Sequence, residues 1–398
     1  MTEAWFIEIA KGIGIFFLNP LVYWSLLLIV LAGYKRIKRE RMDFGSKVFD
    51  IFSEWNHTWL ASIMIGIVIS LITLVVGIVF SYETILLLSI MMIVLSLTLR
   101  FTMLSASYTI GITYLLLLFL PFLIENQSYV DGNLFSNVNF TGLSILLGLF
   151  LIGEAIFLGR IRRNETFPEL VMGSRGGWIG QHHVKKLSII PFFTLVPAGM
   201  ITPFAPFWPY FSLGGESYSI LLVPFIIGFD FTVRGNLPQK IAVKLGKSVL
   251  LLGLIITVLA VLSIFVSWLS LVAVLIAILG KEYINYRHRI KDRTGRAYFH
   301  QKDKGLKVLG LMPGTPAERL DMYVGETIVK VNGKNISNHD EFYQALQATG
   351  ASFTLGLLDD AGEIRFVQNV LYEGEHHELG IIFTTEPYRK DAQRTATH

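Results

Sequence analysis

The residues best suited to chemistry are few and scattered. His377-Glu378-Leu379-Gly380-Ile381 begins like a zinc-protease helix, in which two histidines four apart hold the metal and glutamate is the base. Ile381 stands where the second histidine is needed. No G-x-S-x-G elbow is present, and no serine in an apolar run has an evident histidine partner. Gly173–Gly180 (G-S-R-G-G-W-I-G) has glycines at the wrong spacing for a nucleotide loop, and no Lys-Ser/Thr pair follows. His182-His183 come with no carboxylate pattern and read as a solvated pair in the loop 176–186. With no cysteine, thiolate metal sites and disulfides are excluded. The expectation is a protein with no catalytic residue, no metal and no cofactor.

Two acids do lie inside apolar runs, where an ionisable group is a functional hypothesis by default. Glu154 precedes Arg160 by about one and a half helical turns, and Asp230 precedes Arg234 by four residues, the spacing of a helical ion pair. Both are expected to be satisfied locally at the headgroup boundary, with a transport or proton-relay role as the alternative.

The elements that carry these residues are set by hydropathy. The chain has 398 residues, a mean hydropathy of +0.55 and only 16% charged residues, which points to lipid as its solvent. Apolar runs occupy 12–34, 58–81, 84–99, 106–124, 139–159, 187–207 and 218–233. A further run, 248–280, is too long for one crossing and is divided near Ser267-Trp268. Every Lys and Arg except Lys11 falls in 35–57, at Arg100, in 160–186, in 234–247 or beyond 280. The intervening loops 82–83, 125–138 and 208–217 hold only acids: Glu83, Glu125, Asp131 and Glu216. The positive-inside rule then places the C-terminal part in the cytoplasm. The net charge of +4 reflects these basic loops beside a membrane, and no nucleic-acid partner is expected. Strict alternation gives nine spans with the N-terminus outside. A re-entrant break at Asn19-Pro20 gives about eight with the N-terminus inside, and six to nine spans are compatible with the pattern. Prolines 191, 197, 203, 206 and 209 suggest a kinked or partly re-entrant segment.

Residues 281–297 read as a basic juxtamembrane linker, 298–386 as a small α+β domain and 387–398 as a polar tail. Gly305–Leu311 predicts a strand ending in the turn Met312–Pro316, and Ala317–Leu320 a short helix. Ile328, Val329 and Val331 predict a strand closed by an Asn332-Gly333 hairpin turn. Asn338 is placed to cap a helix over His339–Ala348 with Phe342, Ala345 and Leu346 on its apolar face. Strands over Phe353–Leu358 and Ile364–Leu371 follow, and the domain ends at Glu378–Phe383. The string G-L-x-V-x-x-x-x-P-G-T-P-A, followed by G-E-x-I-V-x-V-N-G, resembles bacterial PDZ domains of the circularly permuted type. The resemblance implies a peptide groove in which Leu379-Gly380-Ile381 is the carboxylate loop and the helix bearing Phe342 and Leu346 lines the side-chain pocket. The fold class is thus a polytopic α-helical membrane protein with a C-terminal PDZ domain. A transporter or channel regulated by that domain, and a PDZ-containing intramembrane protease, are the rival readings.

The N-terminal Phe16–Trp24 segment (F-F-L-N-P-L-V-Y-W) extends the resemblance. With many short spans, a basic linker and one terminal PDZ domain, the chain resembles the MinJ family of Bacillus-like bacteria. That resemblance implies a non-enzymatic membrane scaffold of the Min system at division septa and cell poles. Its implied partners are DivIVA and MinD, and through MinD the division inhibitor MinC. Other divisome proteins and membrane lipid are further candidates.

Overall fold

Asn19 ends one helix and starts the next. Its side chain accepts the Leu21 amide at 3.0 Å, and Pro20, whose missing N–H costs nothing at a helix start, opens the second helix. The computed structural model describes residues 2–124, 135, 137–174, 176–214, 217–300, 305–348, 352–370 and 379–388. Its helices are α1 (Thr2–Leu18), α2 (Pro20–Phe44), α3 (Trp59–Val76), α4 (Tyr82–Ser96), α5 (Ala106–Ile124) and α6 (Phe140–Gly159). Three strands follow, β1 (Phe167–Met172), β2 (Trp178–Ile201) and β3 (Tyr218–Val233), then α7 (Pro238–Leu262) and α8 (Leu269–Thr294). Among the described residues, α2, α3, α6, α7 and α8 are long and apolar enough to cross a membrane; α4 and the stretch Ala106–Phe122 of α5 are apolar but shorter. The protein is a polytopic membrane protein.

Two apolar runs expected as spans, 187–207 and 218–233, are not helices. They form the antiparallel β2–β3 hairpin, paired from His182↔Val233 to Pro197↔Tyr218. The 16 residues of β3 extend roughly 50 Å, more than the ~30 Å of hydrocarbon. A strand buried on both faces is as continuously apolar as a helix, so hydropathy alone does not separate them.

A hairpin among apolar helices needs partners for its outer edges, since every backbone polar group must be satisfied within the protein. Leu187 donates to the Glu54 carbonyl at 3.1 Å and Phe80 donates to the Leu195 carbonyl at 2.9 Å. Between them, Ser70 Oγ accepts the Phe193 amide at 2.8 Å and Thr73 Oγ1 donates to the Phe193 carbonyl at 2.5 Å. On the β3 edge, Thr102 Oγ1 donates to the Asp230 carbonyl at 2.7 Å. Gly66 of α3 lies so close to β2 that a Cβ there would sit 2.1 Å from the Pro191 carbonyl oxygen.

The Asn19 break bends the chain without turning it back. Trp5 stacks beside Trp208 at the turn end of the hairpin, Trp24 Nε1 donates to Ser96 Oγ at 2.8 Å, and Asp43 accepts the Leu170 amide at the hairpin base. The path through α1 and α2 therefore advances from the turn end of the hairpin to its base. The long 248–280 run is broken over 263–268, close to the expected Ser267-Trp268.

The C-terminal domain comprises β4 (Leu306–Leu311), α9 (Pro316–Arg319), β5 (Thr327–Val331), β6 (Lys334–Asn335), α10 (His339–Gln347), β7 (Ser352–Leu358), β8 (Ile364–Val370) and β9 (Ile381–Phe383). The sheet order is β8-β7-β5-β4-β9, with β6 paired to β5. Asn332 and Gly333 both take positive φ, as a two-residue hairpin turn demands. Asn338 Oδ1 accepts the Glu341 amide at 2.9 Å while Glu341 Oε2 takes the Ser337 amide at 2.8 Å, so α10 starts on a reciprocal cap. The basic stretch from Lys281 is no free linker: α8 continues through it to Thr294, and Tyr298 already donates to the Arg234 carbonyl at 2.8 Å. His377, Glu378 and the tail from Arg389 onward lie outside the described residues.

Candidate functional site: the PDZ groove and its seat

The groove is built from α10, β9 and the end of α2. A cavity of about 290 Å³ is lined by His339 and Tyr343 of α10, by Gly380, Ile381, Ile382 and Phe383, and by Asp43, Phe44 and Ser46 at the C-terminus of α2. Gly380 has φ +79°, and a Cβ there would lie 2.1 Å from Thr315 Oγ1, so only glycine fits the bend that leads into β9. Its carbonyl accepts the Met312 amide and the Leu379 carbonyl the Ala317 amide, each at 2.8 Å, which fixes the loop against the start of α9.

Of the residues expected to form the groove, Gly380 and Ile381 line the cavity. Phe342 and Leu346 are buried in the core of the domain with Leu379, Val331 and Leu355. The amphipathic stripe of α10 marks the face turned to the sheet, whereas a groove wall belongs to the flank of that stripe. His339 and Tyr343 occupy that flank, four residues apart. Partial burial holds His339 below the ordinary histidine value, with Asp340 opposing.

Beyond β9 the chain crosses to α2. The Tyr388 amide donates to the Asp43 carbonyl at 3.0 Å, and its ring packs over Gly45. One wall of the cavity thus comes from the membrane part of the chain.

The domain is seated on that part by polar and apolar contacts together. Asn164 Nδ2 donates to the Met322 carbonyl at 2.9 Å and its Oδ1 accepts the Val324 amide at 3.0 Å, a side chain acting as a strand neighbour. Arg163 reaches the Val324 carbonyl at 2.6 Å and Asp360 at 2.7 Å, and Lys240 meets the other Asp360 oxygen at 3.2 Å. Burial pushes the Asp360 carboxyl up, but Lys240 and Arg163 outweigh it and hold the group below its ordinary value. Gly180 of β2 donates to the Phe299 carbonyl at 2.8 Å. Phe49, Phe167, Leu170 and Leu237 from the membrane part share one apolar cluster with Phe299, Leu309, Val324 and Ile382.

The acids singled out by sequence are paired differently from expectation. Glu154 does not meet Arg160. It is fully buried, ion-paired with Lys281 of α8, and accepts Ser105 Oγ at 2.6 Å, because its face of α6 turns inward while Arg160 lies past the helix end. Asp230 is in a strand, so the helical spacing to Arg234 does not apply. It lies opposite Lys185 and is 3.6 Å from that ammonium and 3.7 Å from His183. His182 and His183 are likewise not a solvated loop pair but consecutive β2 residues on opposite faces. His182 is fully buried beside Thr166 Oγ1 at 2.9 Å, and His183 contacts Glu169 at 2.5 Å. Arg39 and Lys185 take up the carboxylates here, and among the described residues no His/Asp/Glu group is placed to hold a metal.

Sequence reasoning missed one buried cluster altogether. Arg36 bonds Glu40 at 2.5 Å and Glu54 at 2.8 Å and lies 4.5 Å from the Phe167 ring centre, close to the base of the hairpin. Only the i, i+4 spacing of Arg36 and Glu40 signals it in the sequence.

A PDZ domain family model matches residues 307–358, the interval from β4 through β7. Along almost its whole length the chain is 36% identical to the cell division topological determinant MinJ of Bacillus subtilis (strain 168), an alignment covering 98% of this chain and 99% of the relative. This chain belongs to the MinJ family. Probable MinJ determinants of Lacticaseibacillus paracasei and Lacticaseibacillus casei (strain BD-II) are 31% identical over 84 residues, 21% of this chain and 23% of each of theirs.

Proposed function

We propose that the chain is a non-enzymatic membrane adaptor for placing cell division, in which the PDZ domain recruits cytoplasmic proteins. The observation that carries this reading is the full-length likeness to a cell division topological determinant, joined to a groove whose far wall is supplied by the membrane part. In this reading the adaptor sits at septa and poles and bridges DivIVA to MinD, and so to MinC. Confinement to the membrane raises the effective concentration of both partners, so that individually weak contacts suffice. The PDZ end faces the cytoplasm because Arg36, Arg39, Arg163, Lys185, Lys186 and Lys240 gather there. Counting α1–α2 as one bent passage and β2 and β3 as two, the chain crosses about nine times, with its N-terminus on the opposite face.

The test is proximity crosslinking in cells with full-length protein, using a photoreactive side chain at Tyr343 in the groove or at Arg162 in the 160–186 segment. Capture of MinD at one position and DivIVA at the other is expected. Capture of neither at both positions would overturn the bridging role.

A further inference from the structure

Helix α8 meets α7 at one end and the segment preceding α7 at the other. At one end, a Cβ on Gly280 would lie 2.7 Å from the Leu252 side chain, so the helices are in close contact. At the other, the Asp292 carboxylate accepts the Arg234 and Gly235 amides at 2.9–3.0 Å. From Gly280 to Asp292 is roughly 18 Å along α8 at 1.5 Å per residue. Between these points lies a cavity of about 490 Å³, apart from the PDZ groove.

Its chemistry is graded. The end near Gly280 is walled by Leu251, Leu252 and Ile255, with Leu251 and Ile255 open to the lipid side. The other end carries Lys244, Arg287 and Lys291. Lys244 and Lys291 approach one another directly, with Arg287 adding a third positive charge. One acid, Asp292, also lines the cavity, with its carboxylate turned to the two backbone amides. Lys244, Arg287 and Lys291 are exposed around one opening, and an anion seated among them relieves their mutual repulsion. A free anion has no use for the apolar end, whereas a phospholipid matches both: phosphate at the cations and the start of an acyl chain along Leu251 and Ile255. Basic pockets between membrane helices on the cytoplasmic side suit anionic headgroups in this way.

The geometry points to the α7–α8 cleft as a binding site for one anionic phospholipid, its phosphate held by Lys244, Arg287 and Lys291. The site gives the membrane part a lipid preference that is independent of the PDZ groove.

Full-length protein reconstituted in nanodiscs of equal phosphatidylglycerol and phosphatidylcholine, then released for native mass spectrometry, reads the retained lipid directly. Wild-type protein is expected to retain phosphatidylglycerol at least tenfold over phosphatidylcholine. K244Q/R287Q/K291Q is expected to lose that preference, while K35Q/K38Q/R41Q, with the same charge removed from the exposed face of α2, keeps it. Ser248→Trp fills the cleft with every cation retained and is expected to expel the lipid too, which separates a site from diffuse attraction. Equal loss in both charge variants, or no loss on filling the cleft, would overturn the site. Retention of inorganic phosphate by lipid-depleted protein as strongly as phosphatidylglycerol would assign the cations to a soluble anion instead.

Discussion

Pro191 of β2 lies directly opposite Pro224 of β3. Neither residue has an N–H, so the pair fits only where both backbones face away from each other, toward the helices. The neighbouring outward amide, that of Phe193, is satisfied by Ser70 of α3. The hairpin thus meets α3 with one donor removed and the next one capped.

Gly66 is the contact point of that packing. Gly66→Leu is expected to destabilise the membrane part by at least about 1–3 kcal/mol, the range for overpacking, because the obstacle is the Pro191 backbone and not a side chain able to move. Gly14→Ala, with open space around its Cβ, is expected to be neutral. Thermal unfolding of the two purified variants in detergent distinguishes them.

Glu154 and Lys281 are both buried, so removing one leaves the other as an uncompensated charge. Glu154→Gln or Lys281→Met alone is expected to cost on the order of 3–5 kcal/mol, and the double substitution less than the sum. A double-mutant cycle on unfolding free energies measures the coupling; strict additivity would mean that the pair does not interact.

Phe342 and Tyr343 are adjacent but serve different surfaces. Phe342→Ala is expected to unfold the PDZ domain, costing about 3–5 kcal/mol as a core deletion. H339A/Y343A is expected to leave the domain folded and reduce partner capture in the cell. Hydrogen exchange on the isolated full-length protein reports folding, and septal co-localisation of a labelled partner reports capture.

Asp360 ties the PDZ domain to Arg163 and Lys240. Since its carboxyl is held below the ordinary value, its contribution to seating is complete above the free carboxyl range of about 4. That contribution is lost as the pH falls through the lower value of the seated form. Asp360→Asn is expected to abolish the dependence and to speed exchange of the Val324 amide at neutral pH. An unchanged exchange rate would show that the Asp360 ion pairs do not contribute to seating the domain.

Much of the architecture was legible because local chemistry dictates it. Asn19-Pro20 breaks a helix, Asn332-Gly333 makes a two-residue turn, and Asn338 with Glu341 starts α10; each is fixed within four residues. The β2–β3 hairpin was not legible, since its run from Leu187 is apolar enough for a membrane helix. Its clue was subtler: Pro191 and Pro197 are an even number apart, so both turn their missing N–H to the same edge of a strand. Gly380 announces itself by its loop, but the places of His339 and Tyr343 along the same cavity do not, because helical periodicity identifies the face that packs and not its flank. The partners of Glu154 and Asp230 were hidden by chain distance, Lys281 being more than a hundred residues from Glu154.

The Asn164 and Gly180 contacts leave the PDZ domain without a leash. A domain on a flexible tether searches a volume and lets its cargo tumble. One bolted to the base of a hairpin holds whatever it captures at a set height above the bilayer and at a set angle. Such a bracket gives up reach and gains orientation.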